Sequence, residues 1–243
     1  MNAAPLVITP GEPGGVGAEI TIKAWRSLKS LRQYAFAYLG DEQHLKSLAQ
    51  LSGLQCTTQR ISKLAEAANV FENALPVLHR PLPCPVSVGH FSATTASWVT
   101  DAITEAVDLC LAHEAAAMVT CPIQKEALYA AGFKHQGHTD FLAALCLKRG
   151  LPAQDVMMLV GQGLRAVPIT VHIALKDVPA ALTQDSIIAQ SIVVHEALQR
   201  RFGIASPRIA VTGLNPHAGE NGSMGREEIE IIKPAIKVLQ DKG

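Results

Sequence analysis

The sequence predicts an α/β fold, and three observations carry that reading. Short β-branched runs alternate with amphipathic helical stretches along the chain, the pattern that builds a parallel sheet covered by helices. The first run, Leu6-Val7-Ile8-Thr9, opens through a glycine-rich loop into a helix, giving a strand–loop–helix unit. Hydrophobic residues make up 48% of the 243 and charged residues 17%. That is enough apolar side chain for a large core, in one large domain or two modest ones.

Taken in order, the elements alternate. After the strand at 6–9 comes Pro10-Gly11-Glu12-Pro13-Gly14-Gly15-Val16-Gly17, then a helix over 18–28. Its glycine spacing, with two prolines intervening, is not the GxGxxG dinucleotide fingerprint. No GK[ST] follows, so it is not a P-loop either. The loop is a tight structural turn or part of a ligand pocket. Residues 34–39 read as a strand and 42–51 as a helix. Further strands are expected at 55–61 and 75–79. Pro76, Pro81, Pro83 and Pro85 make the next stretch extended. That stretch is the expected lobe boundary, dividing the chain into 1–92 and 93–243.

A long amphipathic helix is expected from Ser92 to about His113, with Trp98, Ile103, Val107 and Leu111 on or near one face. A buried strand follows at 117–120. Lys125 then stands near the strand's carboxyl end, in the first turn of a helix reaching about Ala131. A lysine there opposes the helix dipole, a placement that a bound anion explains better than stability does. Gly137-His138-Thr139-Asp140 opens the next helix, to Lys148, with His138 or Thr139 near its N-cap. Residues 156–160 and 166–171 read as a hairpin pair around Gly161-Gln162-Gly163. A long helix covers about 184–201, with His195 partly buried in it. Arg208-Ile209-Ala210-Val211 reads as a buried strand, and a helix restarts at Arg226.

Composition excludes several classes. The formal net charge is zero, so no basic field gathers nucleic acid and no basic amphipathic face meets a membrane. No apolar run reaches membrane-spanning length. The start, Met1-Asn2-Ala3-Ala4-Pro5, lacks the charged and apolar regions of a signal peptide. The cysteines (Cys56, Cys84, Cys110, Cys121, Cys146) are odd in number and form no CxxC pair, which points to reduced thiols in a cytoplasmic protein. Cys121, beside Pro122, is expected to be structural.

Residues 211–225 (VTGLNPHAGENGSMG) hold the richest turn chemistry. His217 and Glu220 stand on a loop that leaves the end of the expected 208–211 strand, where ligand sites of α/β sheets collect. His172 ends the other expected strand on the same edge. Two imidazoles can begin a site for a divalent transition metal, although a catalytic zinc usually takes three protein ligands.

The segments PLVITPGEPGGVGAEI, TCPIQKEAL, GHTDFLA, ITVHIALKDV and GLNPHAGENGSMGREEIEII, in this order, resemble the 4-hydroxythreonine-4-phosphate dehydrogenase family of vitamin B6 biosynthesis across nearly the whole chain. The resemblance implies two α/β/α lobes with a cleft between them, similar in fold to isocitrate and isopropylmalate dehydrogenases. It also implies a homodimer with the active site at the subunit interface. The implied reaction is oxidation of 4-phosphohydroxy-L-threonine at its C3 hydroxyl, followed by decarboxylation. The hydride acceptor is NAD or NADP, and the metal is zinc, magnesium or cobalt. By the same resemblance His172 and His217 are metal ligands, His138 and Thr139 contact the substrate, and Lys125 is the catalytic lysine of a loop in which Cys121 replaces the usual glycine. Relatives acting on 4-phosphoerythronate, 4-phosphothreonate or an aromatic cis-diol are the alternatives within the family. The family's third metal histidine lies in an HDQG-type motif absent from these 243 residues. The expectation is therefore a chain shorter than the family's full length, with a two-histidine site and little or no activity of its own.

Overall fold

A computed structural model describes residues 4–243. Three of the five residues behind the reading of the N-terminus, Met1 to Ala3, lie outside that range. The chain divides into two compact units, Met1–Leu151 and Pro152–Gly243.

The first unit is built on a five-stranded parallel sheet. The N-terminal run forms β1 (Leu6–Thr9), and Gly17–Leu28 forms α1. Then come β2 (Phe36–Gly40), α2 (Glu42–Leu51), β3 (Thr58–Arg60), the short α3 (Ala67–Val70) and β4 (Leu75–His79). The long helix is α4 (Ala96–Leu111), followed by β5 (Met118–Thr120), α5 (Lys125–Ala130) and α6 (His138–Lys148). The strands lie in the order β3-β4-β2-β1-β5, every pair parallel.

Alternation along the strands builds two apolar layers. Ile8, Phe36 and Tyr38 pack with Ile22 and Trp25 of α1 and Leu45 and Leu48 of α2. Val7, Ala37 and Leu39 pack on the other side with Ala102 and Ala106 of α4. Burial on both sides explains why β1 and β2 read as unbroken apolar runs. A third cluster joins α4 to Leu128 of α5 and Phe141 and Leu145 of α6.

This pairing moves the expected boundary at 92/93. β5 pairs with β1, and α4 lies against the sheet, so residues 93–151 belong with the first unit. The proline-rich stretch is a connection inside that unit.

Asp41 caps α2, its Oδ1 accepting from the backbone N–H of Gln43 at 2.7 Å and His44 at 3.0 Å. The next residue, Glu42, is buried and accepts from Thr58 at 2.7 Å, Arg60 at 2.6 Å and Lys46 at 2.9 Å. Burial alone would raise its carboxyl, but these donors prevail and hold it at about 2. With the folded value below the unfolded one, this stabilisation is complete above about pH 4.5 and is lost as pH falls toward about 2. Lys46 and Arg60 are 46% and 50% exposed, so the contribution is about 1–2 kcal/mol. Glu42→Gln should therefore lower the urea midpoint at pH 7. The difference from the unsubstituted chain should shrink steadily below about pH 4.5 and close only as pH reaches about 2.

The second unit has less regular structure. A hairpin of β6 (Leu159–Gly161) and β7 (Leu164–Ala166) turns through Gln162 and Gly163, both at positive φ, as tight hairpins require. Then follow the short α7 (Val178–Ala181), α8 (Gln184–Arg200), a π turn at Glu228–Ile232 and α9 (Lys233–Asp241). Leu182, Ile187, Ile232 and Ala235 form its core. His195 is partly buried in α8, as expected.

Two expected strands are absent here. Residues 208–211, and 167–171 of the expected 166–171 strand, are irregular, and their side chains are half-buried or exposed. The hairpin stops at Ala166. A strand exists only when its backbone finds a partner. Among the described residues neither segment is paired in a sheet.

Candidate functional site

The chain leaves β1 toward β2, β3 and β4 on one side, then crosses to β5 on the other. The carboxyl ends of β1 and β5 are thus a topological switch point, the place where open α/β sheets bind ligands. Two loops meet there. The loop after β1 lies on the loop after β5, with the Glu12 N–H donating to the Pro122 carbonyl at 2.9 Å. Cys121 is buried against this joint, its Sγ 3.5 Å from the Gly17 carbonyl and 3.6 Å from Thr21 Oγ1. Burial pushes its thiol up, and the residue is structural as expected.

Lys125 begins α5 and His138 begins α6, so both stand at helix N-termini beside this joint. The fold brings them together: a Cβ placed on Gly137 would lie 3.9 Å from Lys125 Cε and 4.0 Å from Nζ. Burial depresses the His138 imidazole, and the neighbouring Lys125 charge depresses it further. His138 Nε2 is buried and has no hydrogen-bond partner. Thr139 is exposed in the same first turn. Gly137, rather than Thr139, is the cap residue, and Asp140 ties it down by accepting from Gln136 N–H at 2.7 Å and Gly137 N–H at 2.9 Å. Among the described residues Lys125 has no acidic partner. A cation across two helix N-termini, beside an unsatisfied buried imidazole nitrogen, is an arrangement that an anion with hydrogen-bonding oxygens completes.

His172 and His217 belong to the second unit. Both are exposed, on irregular segments rather than at the ends of buried strands. His172 has φ +58. His217 Nδ1 lies 2.8 Å from Glu220 Oε1, a contact that orients the ring. A carboxylate behind an imidazole is the usual support of a metal-ligating histidine. The loop pays for this pairing in backbone strain: Ala218, Glu220 and Asn221 all take positive φ. Among the described residues there is no cluster of three or more histidine, cysteine or acidic side chains able to hold a metal ion. The His217–Glu220 pair fits a metal ligand, and a complete protein shell is not present in it.

Residues 32–243 match the family model described as pyridoxal phosphate biosynthetic protein PdxA. The chain belongs to the PdxA family. A 4-hydroxythreonine-4-phosphate dehydrogenase from Caulobacter vibrioides is 44% identical to it, over all of this chain and 72% of the relative. A crystal structure of a 4-hydroxythreonine-4-phosphate dehydrogenase from Burkholderia phymatum superposes with a TM-score of 0.84 at 33% identity, covering 99% of this chain and 72% of that one. A terephthalate 1,2-cis-dihydrodiol dehydrogenase from Burkholderia xenovorans superposes less closely, at 0.63 and 29% identity, covering 99% and 71%.

Within this PdxA chain the glycines of the loop after β1 are required by close backbone packing. Side chains placed on Gly11, Gly14 and Gly17 would run into the carbonyls of Pro122, His90 and Pro10. The space beside these glycines is filled by the protein's own backbone, which makes the loop a tight turn. Sequence reasoning missed Glu12. Its carboxyl is buried beside the joint, and the signal available was an acid held between Gly11 and Pro13 in a loop with no basic residue.

Proposed function

We propose that the chain oxidises 4-phosphohydroxy-L-threonine at its C3 hydroxyl, with decarboxylation to 3-amino-2-oxopropyl phosphate, as a step in vitamin B6 biosynthesis. Membership of the PdxA family and relatives named 4-hydroxythreonine-4-phosphate dehydrogenase support the reaction class. The observation that carries the substrate reading is the Lys125–His138 pair at the switch point. Lys125 Nζ meets the substrate's anionic end. His138, kept neutral by burial and by Lys125, turns Nε2 to a substrate oxygen, and the Thr139 hydroxyl lies in the same turn. These groups fix the substrate's orientation, which is worth several kcal/mol when the reacting atoms are held close.

In this reading His172 and His217 would hold the zinc, magnesium or cobalt ion, which lowers the pKa of a hydroxyl bound to it. NAD or NADP is the hydride acceptor, and no residue of this chain is assigned to it. The working form is a homodimer in the cytoplasm. Leu159, Val160, Leu164 and Leu175, 59–87% exposed, form apolar surface that an assembly would cover, and all five cysteines are free thiols. Among the described residues no helix is long and apolar enough to cross a membrane.

Lys125→Ala is the test. It should weaken binding of 4-phosphohydroxythreonine at least 100-fold in a calorimetric titration, leave the melting temperature within about 2 °C and raise the His138 titration midpoint in a proton NMR titration. Unfolding, or unchanged binding, would remove Lys125 from the site. A second reading rests on the cis-dihydrodiol dehydrogenase neighbour, whose substrate carries two adjacent hydroxyls. Turnover of an aromatic cis-diol, with none of 4-phosphohydroxythreonine, would favour it.

A further inference from the structure

A cavity of ≈ 240 Å³ lies between the loop after β1 and the segment leading into α4. The two walls are tied by the Gly89 N–H, which donates to the Gly14 carbonyl at 2.8 Å. The lining includes Glu12, Ser87, His90, Ser92, Thr94 and Thr95, and contains no lysine or arginine. α5, which begins at Lys125, packs against the turn at Ala93–Thr95, and the Glu12 N–H meets the carbonyl of Pro122, three residues before Lys125.

Glu12 is the unusual member. It is 5% exposed, and the donor it has is the Gly14 N–H, at a long 3.4 Å from Oε1. Among the described residues no cation pairs with it. Burial pushes its carboxyl up, and the weak Gly14 contact only partly opposes this. A buried acid with no cation beside it is an expensive thing to keep. The hydroxyls nearby are partly engaged with one another: Ser92 Oγ lies 2.9 Å from Thr94 Oγ1, and Thr95 Oγ1 donates to the Ser92 carbonyl at 3.0 Å. They can still accept from a ligand, since a hydroxyl has two lone pairs. A buried carboxyl flanked by hydroxyl oxygens, with no lysine or arginine in the lining, suits a donor-rich cation. It does not provide a metal cage, because the described residues hold no group of three side chains suited to one.

We propose that this cavity seats a primary ammonium group, with Glu12 as its counter-ion, and that Glu12 thereby selects an amino-bearing phosphorylated hydroxy acid over its hydroxyl analogue. The inference rests on the functional reading above, and it deepens that reading. 4-Phosphohydroxythreonine carries an ammonium on C2 where 4-phosphoerythronate carries a hydroxyl, and the two compounds share their anionic ends. The Lys125–His138 side takes what they share, and the Glu12 side takes what distinguishes them. Loss of a buried polar partner is the strong way to discriminate between such analogues.

The test is calorimetric titration of both compounds into the chain and its Glu12→Gln variant, which keeps shape and removes charge. Glu12→Gln should weaken 4-phosphohydroxythreonine at least 10-fold and change 4-phosphoerythronate less than 2-fold, whereas Lys125→Ala should weaken both. Equal weakening of the two compounds by Glu12→Gln, or no weakening of either, overturns the proposal and leaves the functional reading in place. A second measurement needs no variant: the carbon NMR signal of the Glu12 carboxyl, followed while 2-amino-1,3-propanediol or glycerol is added. The amine should move it and glycerol should not. If neither phosphorylated compound binds but the amine moves that signal, the functional reading fails and the ammonium seat stands. If the amine leaves it unmoved, the seat falls.

Discussion

Gly11→Ala should destabilise the first unit by about 2–5 kcal/mol, one of the largest single effects expected in this chain. Two costs add. Gly11 has φ +67, where a Cβ costs about 1–2 kcal/mol. That Cβ would also lie 2.8 Å from Cys121 Cβ and closer still to the Pro122 carbonyl, and forcing atoms into a packed joint costs about 1–3 kcal/mol more. A chain of this size should melt roughly 5–20 °C lower. Gly53→Ala is the control: it has φ +63 with nothing within 4 Å of the new methyl, so only the first cost applies. If the two variants melt together, the joint between the loops is not tight. The effect reaches function because Glu12 and Lys125 hang on the two sides of that joint. Even a tolerated Gly11→Ala should therefore weaken substrate binding.

The first unit was largely legible in the sequence, and the reason is burial. β1 and β2 are covered on both faces, so their composition alone marks them as strands, and the long amphipathic stripe marks α4. Lys125 and His138 were legible as helix starts because Lys125 closely follows a strand's carboxyl end and His138 follows Gly137. Their mutual approach was an expectation drawn from the anion each would need. The lobe boundary was not legible. Prolines mark where a chain cannot be regular, and only the pairing of β5 with β1 shows which side of them a segment joins. The expected strands at 166–171, absent beyond Ala166, and at 208–211 failed for the opposite reason. Their residues suit strands, but strand formation is decided by a partner that local sequence does not name. Glu12 was hidden because a carboxyl in a glycine-rich loop is usually solvated, and its burial depends on the segment at 84–92 folding over it.

Glu220 offers a prediction in which stability and metal affinity move in opposite directions. It has φ +41 in a loop where Ala218 and Asn221 are also left-handed, a conformation that costs a non-glycine residue about 1 kcal/mol or more. Glycine at 220 would remove that cost, so Glu220→Gly should raise the melting temperature slightly. It would also free the His217 ring, whose Nδ1 is held at 2.8 Å by the carboxylate. Removing such a support typically lowers metal affinity about 10–100-fold, and removing the ligand itself lowers it further. Cobalt titration followed by its visible absorption should therefore rank the unsubstituted chain first, then Glu220→Gln, with Glu220→Gly weaker still and His217→Ala weakest. Glu220→Gln keeps the backbone strain and loses only the charge, so it should weaken cobalt binding without gaining stability. If both Glu220 variants bind cobalt as tightly as the unsubstituted chain, the His217–Glu220 pair is a surface contact and His217 is not a ligand. If His217→Ala also leaves cobalt binding unchanged, the metal is held elsewhere in the chain.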